Sequence, residues 1–278
     1  FALPAGWIIK FLTGCKLVYD AHELESNKNG QNKALSLATL WIEKFCWPKV
    51  DLLVSVSDSI IDWYQVNFSK KSSVLVLNSP LIAQTTCEAD VKAVKSYFHK
   101  KFDIPSDHQI FVYLGILAPG RGIEMCLDAF EQTSGKASVV FIGFGPLESM
   151  IIERTQRTRR VFFHAAVPHD QVVGLVAHAD FGICLIENVS LSDYLCLPNK
   201  LFEYSFAGLP ILASDFPEIR KVVETYSLGV CCEPTVSDLS EKISELENIQ
   251  PKYTIESIYE LSWQVQANRL RAAYSELL

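Results

Sequence analysis

No stretch of the chain approaches the ~20 consecutive apolar residues that a membrane-spanning helix needs. There is no long basic run, and the formal net charge is −7. Together these argue against a general grip on nucleic acid, while a local basic pocket remains compatible with them. The eight cysteines form no CxxC pair and no zinc-like spacing. Several sit in apolar strand-like runs, where Cys behaves as a small hydrophobe, so they read as reduced thiols of a cytosolic protein. The apolar opening from Phe1 to Leu12 has no basic leader and no clear cleavage site, so it is not read as a secretory signal. There is no initiator Met, and the expectation is a chain cut from something longer. Internal repeats and low-complexity segments are absent as well.

What the chain does have is a regular succession of short apolar runs. With 278 residues, 49% of them hydrophobic, it can bury a sizeable core and fill two domains of ordinary size. Candidate strands are Leu17–Tyr19, Leu52–Ser57, Val74–Asn78, Ile110–Gly115, Val139–Gly143, Val161–Ala165, Phe181–Ile186, Ile211–Ser214 and Gly229–Cys232. They are rich in Val, Ile and Phe and nearly continuous rather than alternating, as in parallel strands buried on both faces. Helices are predicted over Lys33–Phe45, Asp58–Asn67, Glu124–Gln132, Asp170–Ala177, Lys200–Phe206 and Pro217–Thr225. Pro217 suits a first helical position, where its missing N–H costs nothing. Strand–helix alternation of this kind predicts an α/β, doubly wound fold.

The polar, helix-like stretch Leu81–His108 has no strand candidate, and the β/α pattern restarts at Ile110. The junction is placed there, giving a first domain over 1–84 and a second over 85–252. The segment Ile255–Leu278 carries apolar residues at helical spacing, so 253–278 is expected to be a terminal helix packing back toward the first domain.

The segment richest in chemistry runs from Leu197 to Tyr204, followed by Ala207-Gly208-Leu209-Pro210. A turn with Pro198 and Asn199 opens a helix, and a helix start presents unpaired N–H groups and partial positive charge to an anion. Lys200 adds a full charge, and Glu203 an acceptor suited to sugar hydroxyls. An exposed Lys200–Glu203 ion pair of small energy is the plainer account of the same two residues. The Gly-rich turn from Gly115 to Gly122 carries Arg121, which can grip phosphate in a bidentate way or simply sit on the surface. Gly143-Phe144-Gly145-Pro146 is either a phosphate-facing turn or a plain strand-to-helix turn. The further glycine and acid of a dinucleotide fingerprint are missing from their places. His22, at the end of a strand, either faces a cleft or is satisfied by Asp20 or Glu23. The remaining histidines read as structural or exposed.

In this order these pieces resemble retaining glycosyltransferases of family 4, which have the GT-B fold. The resemblance runs over Leu17–Leu24, Val54–Ser57, Gly115–Gly122, Phe141–Pro146, Val167-Pro168-His169, Leu197–Tyr204, Ala207–Pro210 and Ser262-Trp263. It implies two Rossmann-like domains facing a cleft, the first one incomplete here, with the second holding the nucleotide half of an activated sugar. By resemblance Arg121 meets the donor diphosphate, Glu203 the ribose hydroxyls, and the backbone N–H groups of Leu201 and Phe202 the phosphate. Gly115, Ile116 and Asn199 join the donor site, Val167 and Pro168 form a loop near the nucleobase, and His22 faces the transferred sugar. Lys200 is added as a phosphate candidate from its place at the helix start. With Arg121 and His22 it makes the expected catalytic set.

The sequence departs from the family pattern at three points. The first glutamate of the family's pair falls on Leu195, with Asp193, Glu187 or backbone groups of 188–195 as substitutes. The Arg often found after the first Gly of the phosphate turn is Ile116. The acceptor-facing part of the first domain is largely absent. There is no DxD motif, in keeping with a site that needs no metal and no cofactor beyond the nucleoside diphosphate sugar. The resemblance implies transfer of that sugar, with retention, to a glycan or lipid-linked acceptor in polysaccharide synthesis. It places the protein in the cytoplasm or at the inner membrane face, touching the membrane through the absent part. The rival readings are a nucleotide-sugar epimerase and a non-catalytic nucleotide-binding scaffold.

Overall fold

The computed structural model describes residues 2–81, 97–133, 135–246 and 252–278. Most of the predicted inter-domain stretch, with Cys87, lies outside them. The chain divides into two compact units. One comprises Phe1–Ser79, Asn188–Leu197 and Glu260–Leu278, the other Pro80–Glu187 and Pro198–Tyr259.

The first unit contains a three-stranded parallel sheet in the order β1 (Val18–Ala21), β2 (Leu52–Ser55), β3 (Ser72–Leu75). The helix Lys33–Cys46 links β1 to β2, and Asp58–Asn67 links β2 to β3. Each starts on a side-chain cap: Asn32 accepts from the Leu35 amide and Ser57 from the Ile60 amide. Such a cap contributes about 1 kcal/mol. Leu24, Leu53, Ile60 and Tyr64 are fully buried in its core, and Trp47 stacks on Tyr64 at 5.5 Å. The segment Asn188–Leu197 is tied in by two bonds. The Leu24 amide donates to Ser192 Oγ (3.1 Å), and Ser57 Oγ donates to the Leu195 carbonyl (2.8 Å).

The second unit contains a six-stranded parallel sheet in the order β6-β5-β4-β7-β8-β9. The strands are β4 (Gln109–Ile116), β5 (Ala137–Phe144), β6 (Val161–Ala165), β7 (Phe181–Cys184), β8 (Ile211–Ser214) and β9 (Gly229–Cys232). Numbered from β4, this is the 3-2-1-4-5-6 order of a doubly wound α/β fold. Phe111 stacks on Phe181 across β4 and β7 at 4.6 Å. Phe130 and Leu127 of the helix Ile123–Gln132 join Leu239, Ile243 and Leu246 of the helix Val236–Leu246 in the same fully buried cluster. Each such side chain contributes roughly 1.5–3 kcal/mol on full burial.

The parallel α/β architecture is as predicted, and the strands Val161–Ala165, Ile211–Ser214 and Gly229–Cys232 match residue for residue. The strand expected to reach Ile186 stops at Cys184. There the ladder gives way to Ser214 Oγ, which receives the Ile186 amide (2.8 Å) and donates to the Ile186 carbonyl (2.7 Å). The terminal helix begins at Trp263, not Ile255. Ile258 and Leu261 are buried from turns and a short 3-10 segment, Tyr259–Leu261, ahead of it. Trp263, Leu270, Ala273 and Leu277 then pack on Leu52, Val54 and Val76 in the first unit. Among the described residues, the helices Ala2–Thr13, Glu148–Thr155 and Val236–Leu246, with the one-turn Leu191–Tyr194, lie outside the predicted helical spans. The first is apolar nearly all round and so shows no period. The second buries only Ile151. The third has a legible apolar spacing at Leu239, Ile243 and Leu246.

Candidate functional site

In the second unit the chain winds outward from β4 through β5 to β6, then returns to β7 on the other side and winds through β8 to β9. Flanking helices diverge at such a reversal, and a crevice opens outside the strands' carboxyl ends. A cavity of about 450 Å³ lies there, within the range of small-molecule and cofactor sites. Of the residues expected at the donor site, Gly115, Ile116, Arg121, Val167, Asn199, Lys200 and Glu203 line it.

The glycines around it have separable causes. A Cβ on Gly143 would lie 1.9 Å from the Gly115 carbonyl oxygen, and one on Gly145 would lie 2.4 Å from that of Leu117. The two turns are bonded backbone to backbone, Leu117 N to Phe144 O and Leu147 N to Leu117 O, both at 2.9 Å. Turn-to-turn contact therefore accounts for the glycines of Gly143-Phe144-Gly145. The Gly120–Gly122 turn is different. Gly120 and Gly122 have φ of +79° and +70°, a region that L side chains disfavour. A Cβ on Gly122 would meet Leu185 Cβ at 2.7 Å. Glu187 fastens this turn twice: its amide donates to the Gly120 carbonyl (3.1 Å), and its Oε1 accepts from the Gly122 amide (3.0 Å). Tyr113 Oη donates to the Arg121 carbonyl between them (2.8 Å).

The opposite wall is the start of the helix Asn199–Phe206. It has Pro198 at its cap, no side-chain cap bond and no acidic residue in its first turn. That leaves the helix start open to an anion. Lys200 Nζ donates to the Leu185 carbonyl (3.2 Å) and stands 4.0 Å over the centre of the Tyr113 ring. Glu203, one turn on and on the same face, is 7% exposed. Burial pushes its carboxyl above the usual range, while the charges of His169 and Lys200 pull it back. His169 Nδ1 is 3.6 Å from Glu203 Oε1. Leu201 and Phe202 are fully buried and do not line the cavity. The Leu201 amide already donates to the Pro198 carbonyl (3.1 Å). Pro168 caps the helix His169–Val176 and does not line the cavity, while Val167 before it does.

Among the cavity residues that sequence reasoning does not single out, His169 and Tyr113 carry polar chemistry. Sequence reasoning places His169 with the structural or exposed histidines, although its position after β6 follows the same carboxyl-end logic that singles out Arg121. Tyr113 sits inside the apolar run Ile110–Gly115 and reads as an ordinary strand aromatic, so nothing local marks it.

His22 belongs to the first unit. Asp20 Oδ1 lies 3.0 Å from its Nε2, and Asn78 Nδ2 lies 2.8 Å from its Nδ1. Both ring nitrogens are therefore engaged, and the bond to Asp20 raises its pKa. Leu195 packs against the first unit's aromatic core. Asp193 accepts from Ser190 Oγ at 2.6 Å within a one-turn helix, and Glu187 is the clamp on the Gly120–Gly122 turn.

The doubly wound sheet thus gathers an uncapped helix start, two cations and a buried carboxylate at its switch point. The chain belongs to the glycosyl transferases group 1 family, whose model matches residues 94–259. Chitobiosyldiphosphodolichol beta-mannosyltransferase of Kluyveromyces lactis is 24% identical over 254 residues, 80% of this chain and 55% of that protein. The putative colanic acid biosynthesis glycosyl transferase WcaI of Escherichia coli is 23% identical over 256 residues, 84% of this chain and 60% of that protein. The chain thus spans little more than half the length of these relatives. Among solved structures, Anabaena HepE in complex with UDP-glucose superposes with a TM-score of 0.79 at 14% identity, covering 99% of this chain and 76% of that one. The lipopolysaccharide outer core galactosyltransferase WaaB in its apo form gives 0.68 at 15%, covering 100% and 73%. These neighbours share the GT-B fold. Among the described residues no helix is long and apolar enough to cross a membrane.

Proposed function

We propose that the cavity at the β4/β7 switch point holds the nucleoside diphosphate half of an activated sugar. We further propose that the complete protein transfers that sugar to an acceptor hydroxyl, with retention, in glycan or polysaccharide synthesis. One observation carries this reading. Arg121, Lys200 and an uncapped helix start converge on the cavity, with buried Glu203 one turn further along the same helix. A diphosphate needs the cations and the helix N–H groups. A ribose diol needs an acceptor such as Glu203. HepE, crystallised with UDP-glucose, supports a nucleoside diphosphate sugar as the ligand class.

In this mechanism the charge developing on the leaving diphosphate is met by Arg121, Lys200 and the first turn of the helix. Such preorganised donors act where charge grows, and losing one costs ~3 kcal/mol of transition-state stabilisation. His22 is the proposed group acting on the sugar. Leu195 favours the second reading, nucleotide binding without transfer, because an apolar core side chain stands where the family resemblance puts a sugar-binding carboxylate. Calorimetry with UDP, GDP and ADP on this chain, then sugar transfer and donor hydrolysis by the complete protein, separates the two. Binding with transfer supports the first reading, and binding without any turnover supports the second. No binding of any of the three discards the site.

A further inference from the structure

The two cations of the cavity come from distant parts of the chain, Arg121 from the turn after β4 and Lys200 from the helix after Pro198. One side chain touches both supports. Tyr113 lies on β4, is 1% exposed, and has Phe141 tilted against its ring at 5.3 Å. Its Oη donates to the Arg121 carbonyl at 2.8 Å, and Lys200 Nζ stands 4.0 Å over its ring centre.

We propose that Tyr113 is a positioning residue that sets both cations of the diphosphate site at once, through its hydroxyl for Arg121 and its ring face for Lys200. The proposal rests on the diphosphate reading above. The ring's negative face adds a second hold on an ammonium that the Leu185 carbonyl alone would otherwise fix on its four-carbon stem. The hydroxyl holds the carbonyl end of the Arg121–Gly122 peptide, whose N–H end is held by Glu187 Oε1, while the Glu187 amide holds the preceding peptide at the Gly120 carbonyl. With Gly120, Arg121 and Gly122 each fastened at one backbone group, the arginine side chain leaves from a fixed point. The phenol is suited to this work, since burial keeps it a neutral donor. A phenylalanine at 113 would keep the ring and lose the bond; a leucine would lose both.

The experiment measures UDP affinity by calorimetry for the unmodified chain, Tyr113→Phe and Tyr113→Leu. The two variants are repeated in Arg121→Ala and Lys200→Met backgrounds, with a thermal melt of each. Tyr113→Phe removes only one oxygen and is expected to weaken UDP about fivefold, the scale of one hydrogen bond. That loss should vanish in the Arg121→Ala background. Tyr113→Leu should weaken binding by a further factor of about ten, and this extra loss should vanish in the Lys200→Met background. Equal losses in every background would mark Tyr113 as a general structural residue and overturn the proposal alone. Wild-type affinity in Tyr113→Phe would also overturn it. If Tyr113→Leu does not fold, the Tyr113→Phe cycle with Arg121→Ala still decides. Failure of the unmodified chain to bind UDP, GDP or ADP overturns the site reading and this proposal with it.

Discussion

Two buried glutamates set the candidate site against a structural region of the molecule. Glu203, on the cavity wall of the second unit, and Glu43, in the first unit, are 7% and 2% exposed. Burial raises the pKa of both carboxyls. Their neighbours differ. Glu43 Oε1 accepts from Tyr19 Oη and Tyr64 Oη, both at 2.6 Å, so it is held by donors of its own unit. Glu203 faces the cavity, with His169 3.6 Å away and Lys200 on the same helical turn. A second cavity of about 420 Å³ borders Glu43 as well, so neither burial nor a nearby void marks a site. What distinguishes Glu203 is its place beside two cations and a helix start at the point where the strand order reverses.

The comparison can be broken most forcefully through the cations. Arg121→Ala and Lys200→Ala in the complete protein are each expected to lower sugar transfer about 100- to 1,000-fold, measured as turnover at saturating donor. Unchanged transfer in both would return the cavity wall to the same status as Glu43. Next in size is Glu43→Ala, which strips the shared acceptor from two buried tyrosine hydroxyls. It should cost roughly 2–4 kcal/mol in denaturant unfolding and leave UDP affinity unchanged. An affinity loss there would show that the two glutamates are not separable.

Glu203→Gln tests the other side. Removing a charge-assisted acceptor should weaken UDP binding about 10- to 100-fold. The same change should stabilise the fold at neutral pH. The sign follows from the raised carboxyl pKa: the unfolded state loses its proton first, so folding weakens as pH rises from the unfolded value of ~4.3 up to the folded one. Glutamine abolishes that loss. The melting advantage of Glu203→Gln should therefore be present at pH 7 and disappear below about pH 4. A variant less stable than wild type at pH 7 would contradict it.

The smallest effect is expected at His22. Its pKa is raised by Asp20, so the pair stabilises the fold fully below the unfolded value of ~6.5 and loses that contribution as pH rises through the folded one. His22→Gln should lower the melting temperature slightly at pH 5.5 and not at pH 9, with UDP affinity unchanged. A drop in transfer at unchanged affinity would support a role on the sugar.

Much of the second unit was legible because its strands are continuous apolar runs punctuated by Gly and Pro. Parallel strands buried on both faces must look that way. Arg121, Lys200 and Glu203 were legible because helix starts and Gly-rich turns leave local marks. Val167 could be placed by motif order alone. His169 and Tyr113 could not be ranked above other histidines and strand aromatics, since their significance depends on partners far away in the chain. Asn188–Leu197 likewise carries no sign that it packs with the first unit. Its ties, Ser192 to Leu24 and Leu195 to Ser57, bridge long stretches of sequence.

The sequence by itself determined the two parallel sheets, the open helix start at Pro198 and the basic residues beside it, because strand, cap and turn preferences act over a few neighbouring residues. Only the tertiary structure decided which glycines serve backbone contact and which serve a turn. It also decided that Leu201 and Phe202 face the core, and that one tyrosine underlies both cations. Those outcomes depend on which strand ends are brought side by side. That juxtaposition is set by the winding order of the whole sheet and leaves no trace in any local run of residues.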